Sequence, residues 1–162
     1  GPPLGVAIAF TKHAARVEWF LEKATELGIT EIFPLRTARS EKMHANQGRL
    51  RTVMVSAMLQ SRQYYLPVLH ETTALESLVE NDPVYTGRFI AHCEDSEKTY
   101  LSRALTPKAA SLVMIGPEGD FTPGEIALAS HHGFRGVSLG DTRLRTETAG
   151  IVACALLQAA QQ

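Results

Sequence analysis

Short apolar runs of strand length alternate with stretches of helical periodicity along almost the whole chain, and this alternation leaves few folds open. Residues 6–10, 29–35, 88–92, 111–115 and 136–139 read as strands, with a further short strand over 68–71. Between the first two, Val17, Phe20, Leu21, Ala24 and Leu27 recur at helical spacing and predict a helix over about 14–27, with Gly28 placed to end it. Leu50, Val53, Met54, Ala57 and Met58 share a face of a second helix, expected over 48–64 and stopped by Pro67. Residues 38–47 are polar and read as a loop, 75–79 as a short helix, and 94–105 as polar and partly helical. Thr122-Pro123-Gly124-Glu125 is a helix start: Thr can cap, Pro suits the first position, and Glu follows three residues after the cap. That helix should end near His132-Gly133, and a last one should run from 147 to 161. Strands alternating with helices require crossover connections, so the expected class is α/β, a mainly parallel sheet flanked by helices.

The chain has 162 residues, enough for one domain with its own core. No apolar run approaches the ~20 residues that a membrane helix needs. The start, Gly1-Pro2-Pro3, lacks the charged and apolar regions of a signal peptide. Neither Cys93 nor Cys154 belongs to a Cys-x-x-Cys pair, so no metal site is expected and a reducing, cytoplasmic setting fits. The net charge of −1 is a weak balance for gripping a polyanion.

In open parallel sheets, ligands sit beyond the carboxyl ends of the strands. Two glycine-bearing loops leave such ends here: Gly116-Pro117-Glu118-Gly119-Asp120-Phe121 and Gly140-Asp141-Thr142-Arg143-Leu144-Arg145-Thr146-Glu147-Thr148-Ala149. Glycine allows positive φ and a close approach of backbone to ligand, and Pro117 stiffens the first turn. Such loops suit a flat adenine and a ribose held by main-chain groups. Thr146 and Thr148 are placed to cap the final helix. Taken singly, Gly-Pro-Glu-Gly is an ordinary turn and Thr-Glu-Thr an ordinary cap. Neither the dinucleotide fingerprint nor a phosphate-loop lysine is present.

The combination is more specific. Met114-Ile115-Gly116-Pro117-Glu118-Gly119, then Leu139-Gly140, then Leu144-Arg145-Thr146-Glu147-Thr148-Ala149 closely resembles the ribosomal RNA small subunit methyltransferase E family, SPOUT-type enzymes that make N3-methyluridine in 16S ribosomal RNA. Lys23-Ala24-Thr25-Glu26-Leu27-Gly28-Ile29, Ala38-Arg39-Ser40, Gln60-Ser61-Arg62 and Pro67 agree in order and spacing, so the resemblance extends from about Leu4 to Gln158. Asp120 stands where that family more often has glycine, a difference that bears on the loop's φ and hydrogen bonding.

The resemblance implies a C-terminal deep trefoil knot, a homodimer, and S-adenosyl-L-methionine bent in the knot as the cofactor, without a metal. It implies that residues 4–162 are the catalytic domain and that a PUA-like RNA-binding domain would precede Gly1, which would account for the missing positive charge. It places the cofactor against Ile115, Gly116, Pro117, Glu118 and Gly119, against Leu139, Gly140, Leu144, Arg145, Thr146 and Ala149, and against Ala91 and His92 as a third wall. As a loop histidine, His92 is more often structural than functional. The implied partner is 16S rRNA in the small ribosomal subunit or its late precursor, contacted through Lys23, Arg36, Arg39, Gln60 and Arg62; each alone also reads as a solvated surface residue.

Methylating uridine N3 requires loss of its proton. Arg145 is a candidate to stabilise charge on the uracil oxygens. Glu147 is a candidate proton acceptor, although a helix N-terminus lowers its basicity, and holding Arg145 or a backbone amide is the alternative. Other readings are the same superfamily acting on a ribose 2′-hydroxyl or a tRNA base, an inactive RNA-binding module, and an ordinary nucleotide-binding α/β module.

Overall fold

A computed structural model describes residues 1–42, 46–81 and 84–162. In chain order the elements are β1 (Leu4–Ile8), α1 (Ala14–Glu26), β2 (Glu31–Arg36), α2 (Gln47–Gln60), β3 (Val68–Leu69), β4 (Thr73–Ala74), α3 (Leu75–Glu80), β5 (Gly87–Ala91), β6 (Thr99–Tyr100), α4 (Leu101–Ala104), β7 (Ser111–Ile115), α5 (Pro123–His131), β8 (Arg135–Ser138) and α6 (Thr146–Ala159). The sheet runs β3-β2-β1-β7-β5-β8-β6, with β4 pairing β2 beside β3. Every pairing is parallel.

A parallel sheet is covered on both faces, and its central strands are apolar throughout. β1 and β7, LGVAI and SLVMI, are buried at every position. Successive side chains point to opposite faces, so they divide between two cores. Val6, Ile8, Val113 and Ile115 pack with Phe20 and Leu21 of α1, Met54 of α2 and Leu157 of α6. Ala7, Leu112 and Met114 pack with Leu75 of α3, Ala129 of α5 and Phe134.

The expected α/β class with a mainly parallel sheet is therefore observed, and the departures are local. α2 stops at Gln60, four residues short of the expected end. Arg62 takes φ +60°, its N–H bonds the Leu59 carbonyl, and the Gln63 N–H reaches back to Met58. This is the Schellman closure, in which a left-handed residue turns the chain away from the helix. Glycine usually signals it, as Gly28 does after α1, but here arginine occupies the position. The expected strand over 68–71 is shortened to β3, which pairs residues 31 and 32 of β2, and a further short strand beyond it, β4, pairs residues 35 and 36. Pro34, which has no N–H to donate, falls between the two pairings. The polar stretch 94–105 contains β6 and α4. Residues 43–45, in the expected loop before α2, lie outside the described residues.

α6 returns across the sheet to lie on β1 and α1, and Gly150 sets how closely it approaches. A Cβ there would come within 2.6 Å of the Phe20 ring and 2.8 Å of Ile8 Cδ1. Alanine at an open helical position gains about 1 kcal/mol over glycine, whereas overpacking a closed core costs about 1–3 kcal/mol. Phe20 and Ile8 are both fully buried and have no room to retreat. We expect Gly150→Ala to lower the urea-unfolding free energy by about 1–2 kcal/mol. A gain in stability would show that α6 can back away from Phe20.

Candidate functional site

β5, β7 and β8 lie side by side and in parallel, so their carboxyl ends open on one edge of the sheet. The chain leaves them at His92, Gly116 and Leu139, and the three exits surround a cleft of about 740 Å³. That is the size range of small-molecule and cofactor sites.

The first loop is built around Phe121, which is buried beneath Gly116; a Cβ on Gly116 would stand 3.0 Å from the ring. The Pro117 carbonyl accepts the Asp120 N–H at 2.9 Å, closing the turn. Asp120 itself takes φ +67°, a region open to aspartate at modest cost. Its carboxylate accepts the Cys93 N–H at 3.0 Å, bracing the first loop against the exit from β5.

The second loop is held from within the cleft and across its outer end. Thr146 Oγ1 donates to the Gly116 carbonyl at 3.1 Å, in a buried bond. Tyr100 Oη donates to Asp141 at 2.7 Å. Thr146 and Thr148, expected to cap α6, do not do so: the N-cap residue is Arg145, and no side chain caps the helix. The Thr146 hydroxyl serves the neighbouring loop because that buried carbonyl offers it a partner. The expected capping box of α5 is present, with Thr122 and Glu125 bonding each other's N–H groups. Glu125 also accepts the Ala38 N–H at 2.9 Å, and Arg39 Nη1 donates to the Gly119 carbonyl at 2.8 Å. The segment after β2 is thereby tied to the first loop.

Of the residues placed at the cofactor by resemblance, all but Gly119 line this cleft. Gly119 presents its carbonyl to Arg39. Cys93, Lys98, Ser138, Asp141, Thr142 and Arg143 also line it, although the sequence did not single them out for this role. Lys98 lies in a polar stretch without periodicity, and only the fold brings it back, its Nζ donating to the His92 carbonyl at 2.9 Å. Glu147 is not in the lining. It pairs with Arg16 at 3.6 Å, so it does not hold Arg145. Arg145 and Arg143 are exposed on the cleft wall.

The candidate RNA contacts are spread. Lys23 lies between Glu22 and Glu26, at 3.1 and 3.5 Å. Arg36 is exposed at the end of β2, and Arg39 is committed to the first loop. Gln60 and Arg62 are exposed at the end of α2, which Gln63 ties to the Glu26 carbonyl at the end of α1.

His92, placed by resemblance in a third wall, does line the cleft. It is buried, and its Nδ1 has no hydrogen-bond partner. Burial, with Lys98 nearby, pushes its pKa below the ordinary histidine value, outweighing the opposite pull of Asp120 and Glu94. The shift favours the neutral ring, whose Nε2 lies against Gly136, where an added Cβ would stand 2.9 Å away.

Similarity to known proteins agrees with this geometry. A family model described as RNA methyltransferase domain matches residues 1–158. The ribosomal RNA small subunit methyltransferase E of Rickettsia conorii is 30% identical over 154 residues, covering 94% of this chain and 62% of that protein. The chain therefore spans about three fifths of that curated relative's length. The crystal structure of a "probable rRNA-methyltransferase" from Porphyromonas gingivalis superposes with TM-score 0.94 at 37% identity, covering 99% of this chain and 68% of the other. A ribosomal RNA small subunit methyltransferase E from Neisseria gonorrhoeae, solved bound to S-adenosyl methionine, superposes with TM-score 0.87 at 28% identity, covering 99% and 67%.

Because the folded pKa of His92 lies below its unfolded value, the unfolded chain binds the proton first on acidification. Stability is greatest above the ordinary histidine pKa and declines as pH falls from there towards the folded value. An NMR titration of the His92 ring should show a midpoint below 6.5. A midpoint above it would mean that the ring is solvated or paired with Asp120.

Proposed function

The chain belongs to the RNA methyltransferase domain family, and from that premise we propose that it binds S-adenosyl-L-methionine in the cleft between the two loops and methylates N3 of a specific uridine in 16S rRNA of the small ribosomal subunit. The observation that carries this is the joining of the loops by Thr146 and Gly116 into one wall at the ends of β5, β7 and β8. The donor set suits the cofactor. Gly116 permits close approach of a ligand to the backbone, and His92, which lines the same cleft, carries a buried Nδ1 without a hydrogen-bond partner.

When bound, the cofactor supplies an electrophilic methyl group on a sulfonium centre. The chain's own residues hold the uracil in line with it and stabilise the charge that develops as the N3 proton leaves. We assign that electrostatic role to Arg145, whose guanidinium is exposed on the cleft wall. Glu147, engaged by Arg16, takes a structural role at the start of α6. Arg36, Arg62, Gln60 and Lys23 are assigned to the RNA, and Arg39 to positioning the first loop. Activity on the ribosomal particle, in a cytoplasmic setting, belongs to the whole protein, since the relatives are longer.

The proposal includes a homodimer and a deep trefoil knot. The support for the knot is the family resemblance, beside a sheet in which β7 lies between β1 and β5. The support for the dimer on α6 is modest in area: Ala155 and Ala159 are exposed and Val152 is half-buried, whereas Ile151 and Leu156 pack on the core. Sedimentation should give a dimer, and a monomer at micromolar concentration would refute that part. Pulling the ends apart should leave a contour shorter than the ~3.3–3.6 Å per residue of an open chain; full extension would exclude the knot.

Calorimetry should show stoichiometric binding of S-adenosyl-L-methionine or its demethylated product, and absence of binding by the folded protein would refute the assignment. In the full-length enzyme, Arg145→Ala should lower kcat by about 10²–10³ while cofactor affinity changes far less. Mass spectrometry of the product should locate the methyl group on uridine N3, and any other position would overturn the target.

A further inference from the structure

A second cavity, beyond the ends of β1 and β2, has a volume of about 440 Å³ and chemistry that the cofactor cleft leaves unused. Its floor is apolar, formed by Phe10, Pro34 and Leu35, and its rim carries Arg36, Ser40 and Lys42. Arg36 and Lys42 are exposed and have no hydrogen-bond or ion-pair partner among the described residues. Glu41, on the same rim, accepts the Lys12 backbone N–H at 3.1 Å and keeps its charge, so the rim sets two cations against one carboxylate and is positive on balance. The rim is also fixed in place. Ser40 Oγ accepts the Thr37 N–H at 2.8 Å, and Ala38 and Arg39 anchor the same segment to α5 and the first loop. A small depression shares Phe10 with this cavity and Thr146 with the cofactor cleft, so the three follow one another along the strand ends.

An apolar slot beside two free cations is suited to a base and its phosphate. We propose that this cavity is an RNA subsite that holds the nucleotide flanking the methylated one, with its base over Phe10 and Leu35 and its phosphate at Arg36 and Lys42. Distance excludes the target base itself. The cavity, between β1 and β2, and the cleft, around β7 and β5, are about two strand spacings apart, roughly 10 Å, whereas the reacting atoms in methyl transfer must approach to about 3–3.5 Å. The subsite rests on the methyltransferase assignment for its purpose, but its ligand chemistry stands on its own lining.

The test is an NMR titration of the isotopically labelled chain with uridine 5′-monophosphate, with uridine, and with a 5′-phosphorylated uridine trinucleotide, each with and without the demethylated cofactor. We expect saturable shifts at Thr37, Ser40 and Thr72, tightest for the trinucleotide. Arg36→Ala and Lys42→Ala should each weaken phosphate-bearing ligands by about tenfold and leave binding of uridine unchanged. Shifts confined to residues 115–121 and 139–146, or equal affinities for the variants and the parent, would overturn the subsite. The mononucleotide binding as tightly as the trinucleotide would mark a free-nucleotide site and overturn its assignment to RNA. Shifts from the demethylated cofactor alone test the cleft separately. If they are absent while the cavity responds, the methyltransferase assignment fails and the nucleotide affinity of the cavity is upheld.

Discussion

Parallel pairing throughout the sheet is the constraint on which the rest of the molecule depends. Parallel strands must be joined by crossovers, and the crossovers cover both faces. The middle of the sheet then has no room for polar chemistry: β1 and β7 are buried along their whole length. What remains open is the edge at which the strands end together. The larger cleft at β5, β7 and β8 and the smaller cavity at β1 and β2 lie on that one edge.

The loops on this edge are held mainly by single hydrogen bonds between segments distant in sequence. Thr146 reaches Gly116, Asp120 reaches the Cys93 N–H, Glu125 reaches the Ala38 N–H, and Arg39 reaches the Gly119 carbonyl. Each such bond contributes only about 0.5–1.5 kcal/mol, but leaving a buried partner unmatched costs about 1–3 kcal/mol. Together they make one assembly of loops whose parts cannot shift independently. Gly150 extends that coupling into the core, because the start of α6 carries Thr146 and its middle rests on Phe20.

Much of the fold was legible because burial follows periodicity. Phe20, Leu21, Met54 and the runs in β1 and β7 are core residues, as their spacing implied. The capping box at Thr122 is present because its donors and acceptors all lie within four residues. Features that depend on partners far along the chain were not legible. Arg62 ends α2 in a conformation that glycine would have signalled. The hydroxyl of Thr146 was read by local rules as a cap, and the carboxylate of Glu147 as a proton acceptor or a support for Arg145 or a backbone amide, but Gly116 and Arg16 are their partners. Lys98 enters the cleft because β6, which it precedes, pairs with β8, and Cys93 because it follows directly on the exit of β5. The two loops were visible as a pair through resemblance, whereas spacing alone left each an ordinary turn.

Asp120 shows what a side chain adds at a position that glycine could fill more easily. Its left-handed backbone carries a modest conformational cost. In return, its carboxylate bridges to the next strand exit, so the first loop is shaped by the chain's own contacts. A ligand entering such a loop need not impose order on it, and little of its interaction energy is consumed in doing so. The structural consequence is a loop whose shape is set by a contact within the chain, on a wall where glycine in place of Asp120 would remove that bridge.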